Sequence, residues 1–197
     1  MLHRNSQKRY YVSGAIYSVT ITTQNRWPYF REPIFCELLI ENLKLAKQLK
    51  GFKLLAFNIL FDHLHLLIQP DDQYNISKVM QFLKRHFSRD INYILSPEGA
   101  IRESRLRPGD YYYLAKVINQ HDNKIKEYKN QFIEKYGQNQ NHFPKFQWQN
   151  SFYGHIIRGT QDLTNHYHYT VYNFLKHKLP DDWLYTSLNY KDLIDEI

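Results

Sequence analysis

A chain of 197 residues, 43% hydrophobic and 23% charged, has the makeup of one globular domain that buries about two-thirds of its unfolded surface. No apolar run approaches bilayer-spanning length, and residues 1–9 are polar and basic rather than a leader, so the expectation is a cytoplasmic protein with no membrane partner. A lone cysteine, Cys36, excludes an intrachain disulfide framework or a thiolate zinc site, and 26 Lys and Arg against 19 acids leave a charge of +7 that favours a polyanionic partner.

Residues 15–23 (AIYSVTITT) alternate and are rich in β-branched side chains, which predicts a strand. A turn follows over 24–33. Residues 34–49 carry Phe35, Leu38, Leu39, Leu45 and Leu49 at helical spacing, and Gly51 supplies the usual helix stop. The apolar runs 52–61 and 63–69 are separated only by Asp62 and its neighbours, so they form an antiparallel hairpin. Asn75 caps the next helix, whose stripe is Ile76, Val79, Met80, Leu83 and Phe87.

The pattern loosens over about 96–144, where three tyrosines from Tyr111 precede a polar, Lys-rich helix from about 123 to 136. Too few aliphatic residues lie there for a separate core, so the stretch is an insertion within one domain spanning 1–197. A strand at 152–157 and a helix at 160–178 complete the chain, and Pro180 limits that helix. Without the insertion the order is β-α-β-β-α-β plus a final helix, an α+β ferredoxin-like fold. Helices would cover one face of an antiparallel sheet and leave the other open.

Basic residues gather at Arg4, Lys8 and Arg9, at Lys84, Arg85 and Arg89, and at Arg102, Arg105 and Arg107, whereas acids collect toward the C-terminus. Seventeen tyrosines add rings suited to stacking on unpaired bases, although large aromatics also fill cores.

Two features carry chemistry. His63 and His65 stand two apart in a strand, so both imidazoles project from one face, about 6.6 Å apart along the chain. Such a pair chelates a divalent ion if further ligands arrive, and two surface histidines would read the same way. In the last helix Leu163, Tyr167, Val171, Phe174 and Leu175 form an apolar stripe. His166, Tyr169 and Asn173 fall on another line, with Tyr169 and Asn173 one turn apart.

The run ILFDHLHLLIQP resembles the HUH motif of single-tyrosine transposases, two histidines around a bulky hydrophobic residue. The run FQWQNSFYGHIIRGTQDLTNHYHYTVYNFLKHK is similar to the REP-associated branch of that family. The matching positions are Trp148, Gln149, Phe152, His155, Ile157, Arg158, Tyr169 and Asn173. The resemblance implies a ferredoxin-like fold and cleavage of single-stranded DNA at hairpin-associated, REP-like sites through a 5′-phosphotyrosine. It makes Tyr169 the nucleophile and His63, His65 and Asn173 ligands of Mg²⁺ or Mn²⁺, with Arg158 among the DNA contacts.

Phe61-Asp62 replaces the family's Pro-Asn or Pro-Glu, and Phe174 replaces a proline after the helix asparagine, so Asp62 has an open role and the helix continues past Asn173. Relatives act as monomers or as homodimers with exchanged helices, and a monomer is the expectation here. The alternatives are a hairpin-binding protein of DNA or RNA that does not cut, and an unrelated metal-dependent hydrolase in which Tyr169 plays no part.

Overall fold

A computed structural model describes residues 11–97, 112–137 and 143–196. Its frame is a four-stranded antiparallel sheet of β1 (Tyr17–Thr22), β2 (Phe52–Leu60), β3 (His63–Pro70) and β4 (Tyr153–Ile156), in the order β2-β3-β1-β4. Four α-helices accompany it: α1 (Pro33–Lys50), α2 (Ile76–Ile94), α3 (Tyr112–Tyr136) and α4 (Thr160–Lys176). The fold is α+β and ferredoxin-like, as the element order predicted.

Alternation sets the two faces of the sheet. Tyr17, Val19 and Ile21 of β1 pair with Ile68, Leu66 and Leu64 of β3, and all six point into the main core beneath α1 and α2. The intervening residues project the other way, pairing Ser18 with Leu67, Thr20 with His65 and Thr22 with His63. A bulge between Leu54 and Ala56 places Leu55 and Ala56 together on this second side.

The second side is not open. Val171 of α4 packs on Leu55, Ala56 and Leu67, with Leu163 and Tyr167 at the edge, so α4 covers the face opposite α1 and α2. Leu175, placed on the apolar stripe by its spacing, is 48% exposed instead. The stripe's buried C-terminal part is Val171 and Phe174.

Local signals at the helix ends held. Asn75 Oδ1 accepts from the Lys78 amide at 3.0 Å, and Gly51 ends α1 at φ 55°, a conformation cheap only for glycine. The 96–144 stretch departs further from its reading, because α3 begins at Tyr112 and runs 25 residues. It docks on α1 and α2 through Val117, Ile125 and Phe132, and Phe132 stacks on Phe35. A buried carboxylate links the three helices: Asp90 of α2 accepts from Asn42 Nδ2 of α1 at 3.1 Å and lies 2.9 Å from His121 Nε2 of α3. No helix among the described residues is long and apolar enough to cross a membrane.

Candidate active site

The loop between β2 and β3 is so short that β3 starts directly at His63, and this fixes which residues of HLH face α4. Leu64 goes to the core; His63 and His65 lie under α4, only 6% and 5% exposed, with ring centroids 4.9 Å apart. Each ring is held by its Nδ1. Asp62 Oδ1 lies 2.5 Å from His63 Nδ1, and Thr20 Oγ1 lies 2.8 Å from His65 Nδ1. These contacts turn Nε2 of each ring away from its Nδ1 partner, as where a neighbouring group orients a metal-binding histidine. His65 Nε2 is buried and has no partner.

Helix α4 delivers the other side of the site. The Tyr169 ring meets His65 edge-on at 5.2 Å, and eight residues later His177, the C-cap, meets His63 at 5.0 Å. Asn173 stands one turn from each, between the two ring contacts in sequence. Both its Oδ1 and Nδ2 are buried without partners. Tyr169 is 45% exposed, and Lys176 Nζ sits 5.5 Å from its ring centroid.

Burial pushes the His65 imidazole down to about 3, helped by the charges of His63, His177 and Lys176. Burial also lowers His63 against the opposing pull of Asp62. Both rings are therefore neutral at physiological pH, as metal ligands must be. Burial raises the Asp62 carboxyl, but hydrogen bonds and charge from His63 and Arg26 outweigh it and hold it below its ordinary value. Arg26 Nη1 reaches Asp62 Oδ2 at 3.1 Å from a turn in which Asn25 and Arg26 both adopt positive φ. Such strain in two consecutive non-glycine residues concentrates at functional sites.

The donor set fits a divalent metal. Two neutral imidazoles and an orphaned amide oxygen could hold a divalent ion whose remaining positions stay open to water or substrate. His63, His65, Tyr169 and Asn173 are thus brought together. Asp62 faces His63 Nδ1, on the far side of that ring from Nε2. His177, Arg26 and Lys176 were missed, although His177 continues the four-residue spacing from Tyr169 and Asn173. Among the described residues a second grouping of possible metal ligands is His155, Asp162 and His166.

The predicted basic contacts separate. Arg4, Lys8, Arg9, Arg102, Arg105 and Arg107 lie outside the described residues. Arg85 is exposed and, with Lys78 and Gln24, lines an open groove of about 950 Å³ between α2 and the 146–152 segment. Lys84 borders it too, but its ammonium donates to the carbonyls of Gln149 at 2.7 Å and Ser151 at 3.1 Å, tying α2 to that segment. Arg89 donates to buried Asp90 at 3.1 Å, and Arg158 is exposed beside α4.

The chain belongs to the IS200-like transposase family, whose model matches residues 11–131, and that membership makes it an enzyme of the transposase kind. A protein of Haemophilus influenzae named as a REP-associated tyrosine transposase is 26% identical over 197 residues, covering 98% of this chain and 90% of its own length. The solved structure of a REP-associated tyrosine transposase bound to a REP hairpin superposes with a TM-score of 0.53 at 19% identity, covering 98% of this chain and 89% of that one. At that identity it bears on the fold.

Proposed function

We propose that this protein nicks and rejoins single-stranded DNA at hairpin-associated, REP-like elements, with Tyr169 as nucleophile. The observation that carries the reading is the stack of Tyr169, Asn173 and His177 on successive turns of α4, directly over the neutral pair His63 and His65. The Tyr169 oxygen attacks the scissile phosphorus, the P–O3′ bond breaks, and a 5′-phosphotyrosine forms. The phenolic proton ends, net, on the freed 3′-hydroxyl. One phosphodiester replaces another, so attack by a 3′-hydroxyl on the phosphotyrosine rejoins DNA without external energy.

His63 Nε2, His65 Nε2 and the Asn173 amide oxygen would hold Mg²⁺ or Mn²⁺, which supplies charge to polarise the scissile phosphate. Asp62 and Thr20 fix the rings that present those nitrogens. The names of the relatives, a REP-associated transposase and one bound to a REP hairpin, support a hairpin partner here. Arg85 and Arg158 are exposed cations suited to its phosphates. The packing of α4 on the sheet of its own chain supports the reading of a monomer with its site built in cis.

Incubation with a 3′-labelled hairpin oligonucleotide and Mn²⁺ tests the reading, because the fragment downstream of the cut stays on the tyrosine. Wild-type protein and Tyr172→Phe should yield a covalent adduct, and Tyr169→Phe should fold and bind DNA yet yield none. Label on a peptide lacking Tyr169 would overturn the assignment, and absence of any adduct would leave the non-cutting binder in its place.

A further inference from the structure

Seven and three residues before Tyr169, α4 carries ligands of a second metal-type set. Asp162 and His166 are one turn apart on the helix, and His155 reaches them from β4. His155 pairs with Ser18 of β1, two residues from the Thr20 that faces His65, so the cluster lies on the sheet face beneath α4, beside the candidate active site. His166 precedes Asn173 by seven residues, about 10 Å along the helix axis, so the two sets cannot share one ion.

The contacts within the cluster are uneven. Asp162 Oδ2 is satisfied, accepting from the Arg158 amide at 2.9 Å and lying 2.9 Å from His155 Nε2. Asp162 Oδ1 has only His166 Nε2, at 3.5 Å. That is long for a hydrogen bond. It matches the separation of about 3.4 Å between nitrogen and oxygen ligands placed tetrahedrally on one Zn²⁺-sized ion. His166 Nδ1 is buried with no partner, so the ring is poorly served by the protein alone. The His155 and His166 rings lie parallel, 17° between planes with centroids 4.5 Å apart, and both direct Nε2 at the same carboxylate. Burial, and then His155, lower the His166 imidazole, which keeps it available as a neutral donor.

We propose that His155, Asp162 and His166 form a second metal site, selective for a divalent transition ion of the Zn²⁺ or Co²⁺ type. Two imidazoles and one carboxylate, with no substrate phosphate beside them to add oxygens, are a donor set that suits such ions. The side chains are 28–29% exposed, so solvent supplies the remaining coordination position. An ion there bridges the short edge strand β4 to the first half of α4 and thereby fixes the helix that carries Tyr169.

Co²⁺ is the probe, titrated into the full chain and followed by calorimetry and its visible d–d absorption. His166→Gln and Asp162→Asn should each bind one Co²⁺ fewer per chain than wild type, whereas His65→Gln should keep this ion. Asp162→Asn leaves an oxygen for the Arg158 amide, so circular dichroism should report an intact fold. In wild-type protein, Zn²⁺ should also shift the ring NMR signals of His155 and His166, a readout that needs no variant. Unchanged stoichiometry in His166→Gln, loss of all binding in His65→Gln, or unmoved His155 and His166 signals would each overturn the proposal. Should His63 and His65 hold no metal, wild type binds one Co²⁺ and His166→Gln none, so the two readings fail separately.

Discussion

His65 offers a thermodynamic handle on the site that requires no DNA. Its imidazole is 5% exposed and its pKa falls from 6.5 to about 3, so no discount for solvent screening applies. Above pH 6.5 the ring is neutral in both folded and unfolded chains and contributes no pH dependence. Below it the unfolded chain takes up a proton that the buried ring refuses, and stability falls as pH falls, down to about pH 3. Between pH 7 and pH 5 the linkage amounts to about 2 kcal/mol. Urea unfolding of metal-free protein at the two pH values should therefore show wild type losing about 2 kcal/mol more than His65→Gln, which cannot titrate. The comparison is internal to each protein, so a baseline cost of the substitution cancels. Equal pH losses in the two proteins would mean that His65 is solvated or paired in solution, and the buried unpartnered donor on which the metal assignment rests would be lost.

Asp62→Asn removes the carboxylate that fixes His63 Nδ1 and should weaken Mn²⁺ binding by roughly 10- to 100-fold in calorimetry. Unaltered affinity would reduce Asp62 to a surface partner of Arg26. Arg85→Ala should lower the slope of log affinity against log salt for single-stranded DNA by about 0.7, and an unchanged slope would show that Arg85 touches no phosphate. Lys84→Ala should instead loosen the 149–151 segment, because that ammonium is committed to two carbonyls, and should appear as lost thermal stability.

The strands, the HLH face, the Asn75 cap and the Gly51 stop were legible because each follows from rules spanning a few residues. The placement of α4 was not. Its apolar side announces burial of one surface, and nothing in that periodicity says which face of the sheet receives it. The N-terminal half of α3 was hidden for a different reason. Its buried line runs through Val117, His121, Ile125, Lys129 and Phe132, so two of every five letters are polar. His121 is placed there by Asp90, and Lys129 by the carbonyls of Tyr93 and Pro97 at 3.1 and 3.2 Å. These partners come from α2 and the residues that follow it, beyond the reach of any local pattern. His177 was legible in spacing but lacked meaning until the sheet showed what stands opposite the helix.

The position of α4 also explains why polar groups are left unsatisfied where they are. Among the described residues nine buried side-chain atoms lack a partner, and six of them, on Asn58, His65, His166, Thr170 and Asn173, line the layer between α4 and the sheet. An unmade hydrogen bond of this kind costs about 1–3 kcal/mol, and folded proteins hold few. A helix selected only to cover a sheet would bury apolar side chains there, as Val171 does on Leu67. Local rules of satisfaction are broken mainly where function requires it. Under the proposed function these nitrogens and oxygens, with Tyr169 at the edge of the layer, are the groups that an ion and a phosphate would meet. Phe174, packed with Leu60 and Leu179, carries α4 on past Asn173 and sets His177 against His63.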